Sequence, residues 1–435
     1  MGVTSRRRTA AIALIAVAAL GASAACNKKD DNTGSNNQPV ELIVDVFGEF
    51  GYKDLYTKYM TDHPNIKITE RGTGQGLGDY NTKLNQWLAA GAGAGDVVSV
   101  EEGTLIETKD NADAFENLLD YGAGSLQGNF LDWKWKQGMT SDGKLLGLGT
   151  DVGSLGMCYR TDKFKAAGLP TDRVAVADKW KTWDDFIALG NQFKAKDKKT
   201  AWVDSATNVY NTILMQTAGN SSGYTYEDNS NNLVLDKNAD VKAAWDKTVQ
   251  IIQAGLSGKF PSFSDQWNAA FKNAGFATIA CPAWMLGVIK NNAGDAAADK
   301  WDVTTAPGGT GNWGGSFLAV PSQGKHKKEA AELAKFLTSP DSQFEVFKKV
   351  NNLPSSPLVY DKPEFQAFKN DYFNDAPVGQ IFGAGAKALK PVYLGSKNQA
   401  IRTAVEDALR SIEDGKRTPD AAWQDALKNG AAAAK

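Results

Sequence analysis

The sequence predicts an α/β protein of two lobes. Its 435 residues exceed the roughly 100 to 200 of one typical domain. From Glu41 onward the apolar pattern alternates between period two and a helical period, the signature of a mostly parallel sheet flanked by helices. Hydrophobic residues at 42% and charged residues at 23% lie near the globular averages of about 45 to 50% and about 25%, so most of the chain can bury a core.

The amino terminus reads as an address label. Arg6, Arg7 and Arg8 precede an apolar run from Ala10 to Leu20, then small residues ending in Ser23-Ala24-Ala25-Cys26, the layout of an export signal over residues 1–25. The run is about half the roughly 20 residues that a membrane-crossing helix needs. Cys26, directly after the small residues, resembles the cysteine of a bacterial lipobox, which implies cleavage before it and lipidation of Cys26. Asn27 to Gln38 (NKKDDNTGSNNQ) has no large apolar side chain and cannot collapse. Residues 26–39 are therefore expected to be a lipidated cysteine and a flexible tether reaching roughly 20 Å.

The body then opens. ELIVDVF (41–47), NIKITE (65–70) and DVVSV (96–100) alternate as strands, and Tyr52 to Met60 and Tyr80 to Ala90 carry helical spacing between them. Thr182-Trp183-Asp184-Asp185 looks like an N-cap with an acidic first turn, opening a helix through Phe193. His326 to Leu337 is helical, Ser339-Pro340 stops it and caps another, and Ala400 to Ile412 is an apolar stripe ended by Gly415, with a fresh start at Thr418-Pro419.

Composition excludes several functions. Lys plus Arg number 48 against 50 Asp plus Glu, which leaves no basic field for nucleic acid or for lipid headgroups. Only His63 and His326 are present, too few for a zinc centre built on imidazoles. No metal or cofactor site is expected. Beyond Cys26 there remain Cys158 and Cys281, which could pair in an exported compartment or stay as small buried thiols.

GAGAGDVVSV, GMCYRTDKFKAAGLP followed by KTWDDF, GFATIACPAW, and GGSFLAVPSQGKHKKEAAELAKFLTSPDSQ occur in that order behind the asparagine-rich tether. This series resembles the extracellular solute-binding proteins (family 1) of carbohydrate ABC importers, the family of maltose-binding protein, and within it the actinobacterial cellobiose and cello-oligosaccharide binders. Arg160 departs from the Asn that many relatives carry there. The resemblance implies a periplasmic-binding-protein-like fold, two α/β lobes joined by about three crossing segments. By motif match these fall near Met157 to Arg160, Ile279 to Pro282 and Gly314 to Val320, giving one lobe from 40–157 plus 283–314 and a second from 158–282 plus 315–435. On that mapping Cys158 and Cys281 both lie at the hinge. It further implies a monomeric, non-enzymatic receptor on the outer face of the cell membrane, held by its lipid anchor alone. Its partners would be an oligosaccharide of the cellobiose or cellotriose class and the transmembrane subunits of a permease.

A sugar presents C–H faces and hydroxyl edges, so its site needs aromatic plates and carboxylate or amide rims. Trp284 matches the family's frequent stacking Trp, and Trp313 sits in a Gly-rich loop unsuited to a core. Trp267 and Tyr224 are further candidate plates. For the rims, ligands in such sheets lie beyond the strand carboxyl ends. That rule selects Glu49, Gln75 and Glu101, with Asp151 ahead of the first crossing. Trp87, Trp183, Trp245 and Trp423 occupy helical stripes and are expected in the core. Two motif matches fail on context. The G-x-G-x-x-G at 309–314 runs into a strand-like SFLAVP, and the G-x-S-x-G at 219–223 follows a helix, whereas each motif needs the opposite neighbour. A xylo- or malto-oligosaccharide binder remains an alternative ligand reading, and a secreted glycoside hydrolase the alternative of another class.

Overall fold

A computed structural model describes residues 39–72 and 76–435. The export signal, Cys26, the tether up to Gln38, and Gln75 lie outside the described residues. Among the described residues eleven strands occur: β1 (Val40–Val46), β2 (Ile66–Gly72), β3 (Val97–Glu101), β4 (Gly147–Gly149), β5 (Asp151–Val152), β6 (Leu155–Arg160), β7 (Ala201–Val203), β8 (Phe276–Pro282), β9 (Trp301–Thr305), β10 (Ser316–Ala319) and β11 (Leu353–Pro354). They build a five-stranded sheet ordered β2-β1-β3-β10-β4, a four-stranded sheet ordered β7-β8-β6-β9, and a small β11-β5 pair.

Each large sheet is the floor of one lobe. In the first, β1 runs parallel to β2 and β3, and β10 runs antiparallel to β3 and β4. In the second, β7 is parallel to β8, and β6 is antiparallel to both β8 and β9. The reversed strands, β6 and β10, are the ones the chain enters on arriving from the opposite lobe. The remaining strands run toward the interlobe side, so a strand starting there must run the other way.

The chain crosses between lobes at three places laid side by side, and this corrects the expected boundaries. The Thr150 amide donates to the Ser316 carbonyl at 2.9 Å and the Trp313 amide to the Gly153 carbonyl at 2.8 Å. Ser154 bridges Asn312, and β5 pairs β11. The crossings are thus residues 150–154, 312–315 and 351–356. Met157 to Arg160 and Ile279 to Pro282 are instead paired strands deep in the second sheet. Residues 283–311 stay in the second lobe, because β9 pairs along β6 and the helix Met285–Ala293 packs into that lobe's core. Ser316 to about Val346 returns to the first lobe through β10 and the helix Lys327–Leu337. An uninterrupted apolar strand and a crossing segment look alike in sequence, and only the pairing register separates them.

Local signals placed the helices well. Thr182 and Asp185 form a reciprocal capping box on the helix Trp183–Lys196, and Ser339-Pro340 and Thr418-Pro419 open the helices Pro340–Val350 and Pro419–Ala433. Ile401, Val405, Ala408, Leu409 and Ile412 are buried along the helix Asn398–Glu413, which packs in the second lobe's core.

Cys158 and Cys281 form a disulfide, Cα–Cα 5.4 Å, across the neighbouring strands β6 and β8. It lies within the second lobe rather than at the hinge, so it cross-links a sheet and leaves the crossings free. Because it closes 123 residues of sequence, replacing both cysteines by Ala should lower unfolding free energy by about 2 to 5 kcal/mol. Ligand affinity should be unchanged. Denaturant unfolding alongside a binding titration checks both.

Candidate functional site

A narrow cavity of about 40 Å³ lies between the lobes, against the crossing 312–315. Glu101, Glu102 and Gly103 come from the first lobe. Asn211, Thr225, Tyr226, Asn398, Gln399 and Arg402 come from the second, with Trp313 at the crossing itself.

The first-lobe wall is set by strand ends. Glu101 terminates β3 and N-caps the short helix Glu102–Thr108, its Oε2 accepting the Gly103 amide at 2.8 Å and the Thr104 amide at 3.2 Å. Burial pushes its carboxyl up, opposed by the Arg402 guanidinium in the other lobe and by those backbone donors. Glu102 is fully inside. Both its oxygens accept the Asn312 side-chain amide, at 2.9 and 3.1 Å, and the Lys134 ammonium lies 3.6 Å away. Burial raises Glu102 and lowers Lys134, and their mutual attraction works against both shifts. Since Asn312 Oδ1 also accepts the Gly153 amide at 2.9 Å, this network ties two crossings to the first lobe.

Beside the cavity, against Trp313, stands an aromatic group of the second lobe. Trp284 follows β8 directly, donates from Nε1 to the Trp313 carbonyl at 3.1 Å and meets the Trp313 ring edge-on at 6.3 Å. Phe263 lies nearly parallel to Trp284, at 23° and 6.3 Å. Phe263 is 52% exposed and holds φ at +65°. This ring, on a backbone conformation costing of order 1 kcal/mol or more, packs at 5.0 Å on the buried Trp267 and still leaves half its surface open to a ligand. Phe263, Trp284 and Trp313 thus form an aromatic run leading to the cavity.

The predicted residues separate under this geometry. Trp313 and Glu101 line the cavity together, and Trp284 packs against Trp313 beside it. Glu49 is exposed beyond β1, and its Oε2 accepts the Asn291 side-chain amide at 3.2 Å from the second lobe, so it contacts the facing lobe at the rim. Tyr224 is partly buried and pairs with Tyr393, while its neighbours Thr225 and Tyr226 line the cavity. Asp151 is a hinge pin, since its buried Oδ1 accepts the Thr150 hydroxyl at 2.7 Å and the Ser316 amide at 2.9 Å. Trp267 is core. It is fully buried, edge-on to Phe271 at 4.5 Å, and its indole donates to Asp204 at 2.8 Å. Sequence reasoning missed Phe263, Arg402, Asn211 and Asn398. The only signal for Arg402 was a charge beside the apolar stripe of its helix. Among the described residues no cluster of His, Cys, Asp and Glu could hold a metal ion, and no helix is long and apolar enough to cross a membrane.

Residues 54–371 match the family model of the bacterial extracellular solute-binding proteins. The chain belongs to that family. This binding protein is 28% identical over 301 residues to the lactose-binding protein of Rhizobium radiobacter, covering 63% of this chain and 68% of that one. It is 26% identical over 394 residues to the arabinooligosaccharide-binding protein of Bacillus subtilis, covering 83% and 84%. The crystal structure of an extracellular solute-binding protein of family 1 superposes with a TM-score of 0.79 at 42% identity, covering 91% of this chain and all of that one. The two-lobed α/β architecture of the binding protein is therefore a property of its family.

Burial makes several second-lobe carboxyls pH-sensitive, Asp204 and Asp302 among them. Asp204, bonded to the Trp267 indole and to Asn208, is raised from 3.8 to about 6 by loss of solvent. Between those values the folded protein holds the extra proton, so this carboxyl's contribution to stability falls as pH rises through the window. Asp204→Asn cannot ionise. The stability of wild type relative to Asp204→Asn should therefore drop by about 2 kcal/mol from pH 4 to pH 6.5, as read by denaturant unfolding at each pH.

Proposed function

We propose that this protein is the extracellular carbohydrate receptor of an ABC importer. It captures a neutral oligosaccharide of the cellobiose or cello-oligosaccharide class between its lobes and passes it unaltered to a membrane permease. The observation that carries the reading is the aromatic run Phe263, Trp284 and Trp313 abutting a cavity rimmed by Glu101, Asn211, Asn398, Gln399 and Arg402. Rings take the C–H faces of a sugar and the polar groups take its hydroxyls. The saccharides named for the two sequence relatives support the carbohydrate class, and the β-linked glucose class is this reading's finer claim. The leading export signal and Cys26 support delivery to the outer membrane face on a lipid anchor.

Mechanism follows from where the walls come from. A ligand touching Glu101 and Arg402 together has contacts in the closed form that the open form lacks, and this difference shifts the equilibrium toward closure. Ile106, on the first-lobe helix Glu102–Thr108, is already buried within the second lobe's core cluster. It is an apolar contact made only when the lobes meet. Nothing in this scheme breaks a bond.

A calorimetric panel of cellobiose, cellotriose, xylobiose, maltose and lactose, run with product analysis, tests the proposal. Saturable binding of the β-glucosides without products is expected. Preference for another sugar would replace the ligand, and turnover would restore the hydrolase. Trp284→Ala should weaken binding of the preferred sugar by at least about 1 kcal/mol with little change in unfolding temperature. Ile106→Ala should weaken every ligand by the same factor, corresponding to about 1 to 3 kcal/mol, because it depletes the closed form rather than a sugar contact. Equal loss across the panel is the signature to look for.

A further inference from the structure

The cavity is lined by one cation among the described residues, Arg402, on the helix Asn398–Glu413. Its side chain is 32% exposed, and its Nε donates to Glu406 Oε1 at 2.8 Å. The same oxygen accepts the side-chain amide of Asn211, a cavity residue from the helix Ala206–Asn220, also at 2.8 Å. Glu406 is 15% exposed, and its second oxygen lies 3.5 Å from Arg410. From the facing lobe Glu101 adds a second carboxylate, its charge felt at Arg402. Glu102 is engaged by Lys134 and Asn312.

A lone guanidinium in a sheltered cleft would hold phosphate or carboxylate strongly, because its planar donors fit both in pairs. Here a carboxylate is bonded to its Nε, and among the described residues its other donors have no hydrogen-bond partner. We propose that Glu406 is the specificity-determining residue of the cleft. It positions Arg402 and Asn211 as hydrogen-bond donors to hydroxyls and cancels the arginine's charge, so that neutral saccharides enter and anionic ones are refused. This rests on the carbohydrate reading above, and extends it to the charge class of the ligand. Selectivity of this kind is achieved by repulsion of the wrong ligand as much as by attraction of the right one.

Glu406→Gln keeps an acceptor for Arg402 and Asn211 and removes only the charge. Inorganic phosphate, titrated calorimetrically, is the probe that needs no saccharide. Glu406→Gln should bind phosphate at least tenfold more tightly than wild type, with affinity falling as salt rises. Glu406→Asp should remain like wild type, and the double variant Arg402→Gln/Glu406→Gln should lose the gain. For the matched pair cellobiose and cellobionate, the ratio of dissociation constants should move at least tenfold toward the anion. A folded Glu406→Gln protein with unchanged phosphate affinity, or a gain that survives loss of Arg402, overturns the proposal. If Glu406→Gln does not fold, Glu101→Gln lifts the facing charge and should give a gain of the same sign, and its absence overturns the proposal equally. A wild type indifferent to every saccharide would remove the carbohydrate reading while the phosphate measurement still reported on Glu406.

Discussion

Three segments must pass abreast between the lobes, and most of this molecule is arranged around that constraint. Side-by-side crossing requires very close backbone approach. A Cβ on Gly153 would fall 1.8 Å from the Trp313 carbonyl oxygen, and Gly315 holds φ at +126° with the Asp151 carbonyl beside it. Only glycine meets both demands. The polar groups stripped of water by that packing are answered locally, by Asp151 for the Ser316 and Thr150 donors and by Glu102 for Asn312. Charged groups this deep are tolerated because each has a partner, and removing one partner would cost more than the pair contributes.

Strand direction follows from the same constraint. Strands beginning within a lobe end at the cleft, so Glu101 after β3 and Trp284 after β8 arrive there without special loops. Strands beginning at a crossing run away from it, so β6 and β10 carry packing residues instead. That is why Asp151 and Cys158, near the same stretch of sequence, became a hinge pin and a sheet cross-link and not ligand contacts.

The sequence was legible where a signal was local. Caps, apolar stripes and period-two runs marked Thr182, Ser339, Thr418 and strands β1 to β3 to within a residue or two. The rule placing ligands beyond strand ends picked Glu101, which lines the cavity, and the family match picked Trp284, which packs on Trp313 beside it. What failed depended on pairing. Nothing in GMCYR or IACP distinguishes a sheet centre from a lobe crossing, and Trp267 looks no different from Trp284 until Asp204 is found at its indole. Arg402 and Phe263 were hidden for a related reason. One lies beside a helix stripe read only for its apolar face, and the other in a turn whose left-handed backbone carries no sequence mark.

β10 lies in the middle of the first sheet, between β3 and β4, although it follows β3 by roughly two hundred residues of chain. As the polypeptide emerges from its amino end, β3 and β4 must wait with unpaired edges while the entire β6 to β9 sheet is delivered. The leading lobe cannot finish assembling until the trailing one is largely made. Such exposed edges are templates for wrong partners, so this architecture favours holding the nascent chain apart until Ser316 to Ala319 arrives to zip the gap.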